Sequence, residues 1–220
     1  MAGKRRTRRK VSNLTALAVL SALAHRPMHP YEMARAFRGW GKDRDMQVKW
    51  GSLYSVVASL EKHGFIEAAG TSREGNRPER TVYRITEAGW TEMADWTREL
   101  LATETDPARF RSGLSVASVI APDEVVQLLA ARAALLEERL TDLRESLATQ
   151  GEGIPRLFQV EGEQELAVTE ADLAWTRAFA DELASGTFPD LDAWRAFHTT
   201  REIPEALADL AERSLDDQNP

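Results

Sequence analysis

The chain has 220 residues, of which 43% are hydrophobic, 29% are charged and none is cysteine. This length is enough for a buried core in one or two domains. The absence of cysteine excludes disulfides, thiolate metal sites and cysteine nucleophiles. No apolar stretch approaches the roughly 20 residues that a membrane-spanning helix needs, so we expect a cytoplasmic protein.

Charge divides the chain into two parts. Residues 1–90 contain 17 lysines and arginines against 8 aspartates and glutamates, a net charge of +9, whereas the remaining residues contain 11 against 27, a net charge of −16. This asymmetry predicts that the front part meets a polyanion, while the acidic rear repels the same ligand. We therefore expect two domains.

The chain begins with a basic cluster that precedes an apolar run over residues 14–24, a pattern that imitates an export signal. The apolar residues recur at helical spacing, however, and polar Thr15 and Ser21 interrupt them, so an amphipathic helix explains the run better. Asn13 is its predicted N-cap, and Pro27 predicts its end. The cluster lies in a predicted flexible arm over residues 1–12, which either reaches a DNA minor groove or only adds non-specific affinity. Its members are Lys4, Arg5, Arg6, Arg8, Arg9 and Lys10.

Two more short helices are predicted next. Pro30 suits a first helical turn, where its missing N–H costs nothing, and this helix should reach Phe37. The following helix is predicted over residues 51–63, because its apolar residues repeat at i, i+3, i+4 and i+7. These residues are Leu53, Val56, Val57 and Leu60.

A hairpin and a linking helix complete the front part. Residues 65–69 and 81–85 are β-like runs around a turn-rich, basic tip. Thr86 then caps a helix that runs to about Ala102. This order predicts a mainly α fold with a small β-hairpin wing, a winged helix-turn-helix domain over residues 13–105.

The rear part, residues 106–215, is predicted to be an all-α dimerisation and effector domain, followed by a flexible tail over residues 216–220. Gly186 is the predicted C-cap of its second long helix. The predicted helices cover residues 109–119, 123–150, 163–185, 191–198 and 204–215.

An apolar seam with alternating spacings of three and four runs along the first long helix. It starts at Val126, and its predicted dimerisation residues are Leu129, Ala133, Leu136, Leu140, Leu143 and Leu147. A seam shared by two subunits would place two recognition helices about 34–36 Å apart, on an inverted-repeat operator. The alternative is a seam packed within its own subunit, and three heptads do not decide between the two.

The helix over residues 51–63 is the candidate recognition helix, because a major groove admits one helix whose exposed residues reach base edges. Its polar face carries small hydroxyls, so we expect phosphate contacts and DNA shape to provide much of the affinity. The basic hairpin tip is either a wing that touches DNA or a solvated turn. The predicted DNA-binding residues are Tyr31, Lys49, Ser52, Tyr54, Ser55, Ser59, Arg73, Asn76, Arg77 and Arg80.

Four ordered motifs over roughly residues 14–100 resemble those of PadR-family regulators. They are Pro27-Met28-His29-Pro30-Tyr31-Glu32-Met33, Gly51-Ser52-Leu53-Tyr54, Leu60-Glu61-Lys62-His63-Gly64-Phe65-Ile66 and Tyr83-Arg84-Ile85-Thr86-Glu87-Ala88-Gly89. Pro30 departs from a glycine usual in the family, and Ser55 from a common proline. The resemblance implies a dimeric repressor that binds DNA through its third helix and wing and is released by an effector or by a change of partner.

Aromatic side chains suggest an effector pocket in this repressor. Trp90 and Trp96 on the linking helix, with Trp175 and Phe179 further on, are placed to line a cleft for a small apolar or aromatic effector. The alternative is that these residues belong to the core, because aromatic residues at helical spacing often do.

No catalytic constellation accompanies these features. The four histidines lack metal-ligand spacing, and the chain has no nucleophile elbow, Walker loop or dinucleotide fingerprint. We therefore expect no enzyme activity, no metal and no cofactor. The predicted function is that of a transcriptional repressor that binds double-stranded DNA as a homodimer. The alternative is a winged-helix scaffold that binds protein.

Overall fold

A computed structural model describes residues 9–42, 46, 48–72, 80–150 and 153–202. Three predicted DNA-binding residues, Arg73, Asn76 and Arg77, lie outside the described residues. The same holds for residues 1–8 of the predicted arm, for the helix predicted over 204–215 and for the tail.

The front part has the predicted winged helix-turn-helix order. It consists of α1 (Leu14–His25), α2 (Pro30–Gly39), α3 (Leu53–Lys62), β1 (Ile66–Ser72), β2 (Arg80–Ile85) and α4 (Glu87–Thr103). A 3₁₀ turn over Trp50–Ser52 leads into α3. The mainly α fold with a β-hairpin wing is thus confirmed.

Local chemistry fixes the ends of these elements as the sequence predicts. The Asn13 side chain accepts a hydrogen bond from the amide of Thr15 at 2.9 Å, which caps α1. The Thr86 hydroxyl accepts one from the amide of Gly89 at 3.1 Å, which caps α4. Both side chains satisfy amides that a helix N-terminus leaves without an intrahelical partner.

The core of the front part surrounds α1, whose residues 15–23 are all buried. Phe37, Leu60 and Trp96 pack in the same cluster, so α2, α3 and α4 share one core with α1. Met28, between α1 and α2, exchanges two backbone hydrogen bonds of 3.0 Å with Tyr83 on β2. The hairpin is therefore attached to the helices by backbone pairing as well as by packing.

The rear part contains helices and no strand among its described residues. Its helices are α5 (Pro107–Leu114), α6 (Pro122–Gln150), α7 (Val160–Ser185) and α8 (Leu191–Thr200), with 3₁₀ turns over Ala117–Val119 and Arg156–Phe158. The predicted cap at Gly186 is present, with a left-handed φ of 74°. No helix among the described residues is both long and apolar enough to span a bilayer.

Four of the six predicted dimerisation residues on α6 pack against other helices of the same chain, whereas Leu143 and Leu147 are half-buried, and the role of the seam between subunits stays a prediction. Leu129 clusters with Leu183, and Leu136 and Leu140 cluster with Leu173, with Ala133 beside them. The periodicity identified the apolar face of α6 correctly, but a second apolar helix of the same chain covers it.

A polar contact joins the front and rear parts. Lys42, just after α2, is buried, and its Nζ lies 3.0 Å from both the carbonyl oxygen and the hydroxyl of Ser115.

Arg9, which the sequence placed in the arm, instead forms ion pairs of 2.6 Å with Glu92 and 2.9 Å with Glu99 on α4. Arg9 is thus anchored to α4.

Candidate nucleic-acid interface

The helix α3 presents the face that the sequence assigned to DNA. Leu53 and Leu60 are buried on its inner side, whereas Tyr54 is 65% exposed and Ser55 is exposed on the outer side. Lys49 is exposed just before the 3₁₀ turn. Because the apolar stripe of α3 is buried in the core, the opposite face of the helix is the one that solvent contacts.

The serine hydroxyls on this face are already committed as donors. Ser52 Oγ donates to the carbonyl of Lys49 at 2.8 Å, and Ser55 Oγ donates to the carbonyl of Ser52 at 2.7 Å. Each hydroxyl keeps its acceptor lone pairs. In this arrangement Ser52 and Ser55 are suited to accept hydrogen bonds, and the amino groups of cytosine and adenine are the donors that a major groove offers.

A capping box at the start of α2 holds Tyr31 in place. The amide of Tyr31 donates to His29 Nδ1 at 3.1 Å, and the amide of His29 donates to Glu32 Oε2 at 2.8 Å. Burial and the nearby Arg80 lower the pKa of His29, against the opposing effect of Glu32. The neutral ring that the cap requires is therefore the favoured form.

The wing is brought next to this cap. The Arg80 guanidinium lies 5.5 Å from the centre of the Tyr31 ring, a cation–π contact that joins β2 to the start of α2. Tyr31 is itself 51% exposed. Two residues that are 49 positions apart in the sequence thus stand side by side on one surface.

Sequence reasoning missed a second pair of this kind beside α3. Trp50 is 39% exposed, and the Arg38 guanidinium lies 5.0 Å from its ring centre. The signal that was available is the position of Trp50 immediately before the Gly51-Ser52-Leu53-Tyr54 motif. Arg38 carried no comparable signal, because α2 could be oriented only once the fold was known.

The structure does not assemble the predicted effector pocket. Trp96 is 2% exposed in the front core, and Trp90 lies under Arg201, 4.8 Å from its guanidinium. The Trp175 and Phe179 rings lie with their centres 5.2 Å apart and their planes tilted by 31°, in a separate row of aromatic rings. These four residues therefore line no common cleft, and the alternative that Trp96 is a core residue is the one observed.

Trp90 does border a cavity of its own. This cavity has a volume of about 350 Å³ between α4 and α8, and Phe197 and His198 also line it. Neither Trp175 nor Phe179 reaches it. Within the part of the chain that the structure describes, no group of three histidines or carboxylates is arranged to hold a metal ion.

Comparison with known families bears on the front part. The family described as the transcriptional regulator PadR-like family matches residues 19–95. Residues 19–95 form a PadR-like domain. The matched range runs from within α1 to within α4, so this PadR-like domain contains both the candidate recognition helix and the wing.

A curated relative supports the same range. The probable transcriptional regulator Rv1176c of Mycobacterium tuberculosis is 30% identical over 96 residues, which are 42% of this chain and 47% of the relative. The match thus spans about half the length of that protein.

Solved structures of low similarity complete the comparison. Bacillus subtilis PadR in complex with operator DNA shares 18% identity, covering 79% of this chain and 99% of that one, with a TM-score of 0.36. A protein of Streptococcus mutans UA159, smu.1604c, shares 22% identity over 77% of this chain and 98% of its own, also with a TM-score of 0.36. Bacillus subtilis PadR in complex with p-coumaric acid shares 17% identity over 78% and 99%, with a TM-score of 0.34. Scores this low do not bear on how the rear helices are arranged around the PadR-like domain.

Proposed function

We propose that this chain is a transcriptional repressor that binds double-stranded DNA through α3 and the wing. The observation that carries the proposal is the outer face of α3, where exposed Lys49, Tyr54 and Ser55 stand free of the core in a part of the chain with a net charge of +9. Basic residues around a protruding helix are the electrostatic footprint of a DNA-binding surface.

The positions of the side chains suggest which of them contact bases and which contact phosphates. Ser52, at the end of the 3₁₀ turn, and Ser55, on α3, are acceptors for base edges, while Lys49, Tyr54 and Arg80 are suited to phosphate oxygens. Arg38 and Trp50 extend the same surface beyond the beginning of α3. In this arrangement phosphates provide most of the affinity, and a few base contacts set the preferred sequence.

We further propose that the repressor acts as a homodimer. Leu136 and Leu140 of the α6 seam pack against Leu173 of α7, so we place the surface that meets a second copy elsewhere on the rear helices. The turn between α6 and α7 leaves four apolar side chains exposed, and Leu157, at 73%, and Phe158, at 67%, are the most exposed of them. Ile154 and Val160 are the other two. Apolar side chains clustered at one exposed turn are typical of a contact with another protein.

Release from DNA by a small molecule completes the proposal. Bacillus subtilis PadR, one of the solved relatives, forms a complex with operator DNA and another with p-coumaric acid. For this chain we infer the same two classes of partner, DNA and a small effector.

The proposal is tested by selecting duplexes from a random pool with the full chain and footprinting the DNA upstream of its own gene. An inverted repeat with half-sites about 34–36 Å apart is expected. Protection of a single half-site would contradict the dimer, and enrichment of no sequence would favour the protein-binding scaffold.

A further inference from the structure

The rear part contains a groove that is separate from the DNA-binding surface. It lies between α6, α7 and the turn from α4 to α5, and its volume is about 590 Å³. Leu135, Leu136 and Val168 form its apolar walls, and Leu135 and Val168 remain 43% and 46% exposed. A pocket of this size with apolar walls fits a small organic molecule.

One buried cation borders the groove with an unused donor. Arg132 is 2% exposed. Its guanidinium donates to the carbonyl oxygen of Glu104 and, at 2.6 Å, to Asp172 Oδ2, and it lies 3.6 Å from the centre of the Phe110 ring. The Nε–H has no acceptor among the described residues. An unpaired buried donor is unfavourable, so a small shift of the Arg132 side chain that let an acceptor atom of a ligand reach Nε–H would relieve it.

The charge around the groove is negative. Five carboxylates and two guanidiniums line it. Arg132 pairs with Asp172 and Arg139 pairs with Glu165, whereas Glu104 pairs with Arg109 outside the lining. Glu138 and Asp142 have no ion pair within the described residues and are exposed. This excess of negative charge favours a cation and disfavours an anion.

The two features stand apart along α6. At about 1.5 Å per residue, Glu138 and Asp142 lie about 9 Å and about 15 Å beyond Arg132. A ligand that meets both therefore carries its acceptor near one end and its positive charge near the other, with an apolar body between them against Leu135 and Val168.

We propose that this groove binds elongated amphipathic organic cations whose carbonyl or similar acceptor pairs with Arg132 Nε–H and whose ammonium group lies near Glu138 and Asp142. The site itself depends only on the rear part. Its role as the effector site rests on the proposed function: Arg132 holds the carbonyl of Glu104, directly after α4, and α4 begins at the wing. A ligand that binds Arg132 would therefore change the contact at the end of α4, the helix that joins the two parts.

The binding test uses three fluorescent naphthamides that share one ring and one amide and differ in the tail: aminohexyl, hexyl or carboxypentyl. Anisotropy of each probe is titrated with the full chain. We expect the aminohexyl probe to bind best and the carboxypentyl probe at least roughly tenfold more weakly, as attraction and repulsion by the same carboxylates predict.

Variants locate the site. Val168→Lys blocks the groove at an exposed position and should weaken the aminohexyl probe at least roughly tenfold, because it adds bulk and positive charge. Ala174→Lys adds the same side chain at an exposed position of α7 outside the groove and should leave binding unchanged. Arg132→Met should weaken the binding of all three probes. If Arg132→Met fails to fold, Val168→Lys still tests the site.

Three results would overturn the site: no probe binds, the carboxypentyl probe binds as tightly as the aminohexyl probe, or both lysine variants behave alike. Sedimentation of Val168→Lys as a monomer beside a dimeric parent would also overturn it, because the groove would then be a subunit contact. The regulatory role is tested separately by DNA affinity with and without saturating aminohexyl probe. Unchanged affinity in a chain that binds DNA would remove that role, whereas a chain that binds the probe but no DNA would remove the proposed function and the regulatory role and leave the binding site in place.

Discussion

Gly89 is the glycine at which an added methyl group should lower the unfolding free energy the most. It is the third residue of α4, and a Cβ there would stand 2.1 Å from the carbonyl oxygen of Phe65 and 2.8 Å from Ile85 Cγ1. The same carbonyl oxygen accepts a hydrogen bond of 3.1 Å from the amide of Thr86. Gly89→Ala must therefore push α4 and the wing apart.

The expected cost is a loss of about 1–3 kcal/mol of unfolding free energy, the range for overpacking. Alanine in place of glycine would otherwise favour a helix by up to about 1 kcal/mol. Gly162→Ala is a matched control, because Gly162 is the third residue of α7 and its Cβ would meet only the Leu147 side chain, at 3.0 Å. Side-chain rotation accommodates that contact, so we expect little change or a slight gain.

Urea unfolding followed by far-ultraviolet circular dichroism measures both variants. Gly89→Ala should lower the midpoint without changing the slope, since the surface exposed on unfolding is the same. The close approach of α4 to the strand end would be refuted if Gly89→Ala matched the parent in stability, or if Gly162→Ala proved the more damaging of the two.

Three further predictions concern the cap, the DNA surface and the seam. Because the pKa of His29 is lowered from 6.5 in the folded chain, protons bind the unfolded state preferentially, and this contribution to stability is present above that pH and lost as the pH falls below it. His29→Asn keeps a cap acceptor and should flatten the fall of the urea midpoint between about pH 8 and pH 5; an unchanged fall would contradict the role of the ring. Lys49→Ala should weaken all duplexes alike and reduce the salt slope by about 1, whereas Ser55→Ala should change the preferred base with an effect of about 1–3 kcal/mol in competition binding; identical behaviour would abolish the division of roles. Leu140→Ala should lower the unfolding free energy by about 2–5 kcal/mol and leave the sedimentation coefficient unchanged, while dissociation without loss of stability would return the seam to a subunit interface.

Features set by neighbouring residues were predictable from the sequence. The caps at Asn13, Thr86 and Gly186 depend on bonds that span a few residues, and the buried stripe of α3 depends only on helical spacing. The PadR-like motifs lie in this same front part, where local patterns and fold agree.

Features set by distant residues were not predictable in this way. The period of the α6 seam defined an apolar face but could not tell whether α7 or a second subunit covers it. Arg132 reads as one more charge on an acidic helix, yet its partners are Glu104 and Asp172, 28 and 40 residues away. Trp96 and Trp175 are both tryptophans within predicted helices. Only the packing of the folded chain shows that Trp96 lies in the core and Trp175 lies on the surface.

The measurement that bears most directly on the central claim is the affinity of the full chain for duplex DNA at a series of salt concentrations. If α3 and the wing meet phosphates, the logarithm of the association constant should fall linearly with the logarithm of salt between about 50 and 200 mM, with a slope of about −0.9 per phosphate contact. Several such contacts are expected from Lys49, Tyr54, Arg80 and their neighbours. No detectable binding at the lowest salt, or an affinity that salt leaves unchanged, would contradict the account.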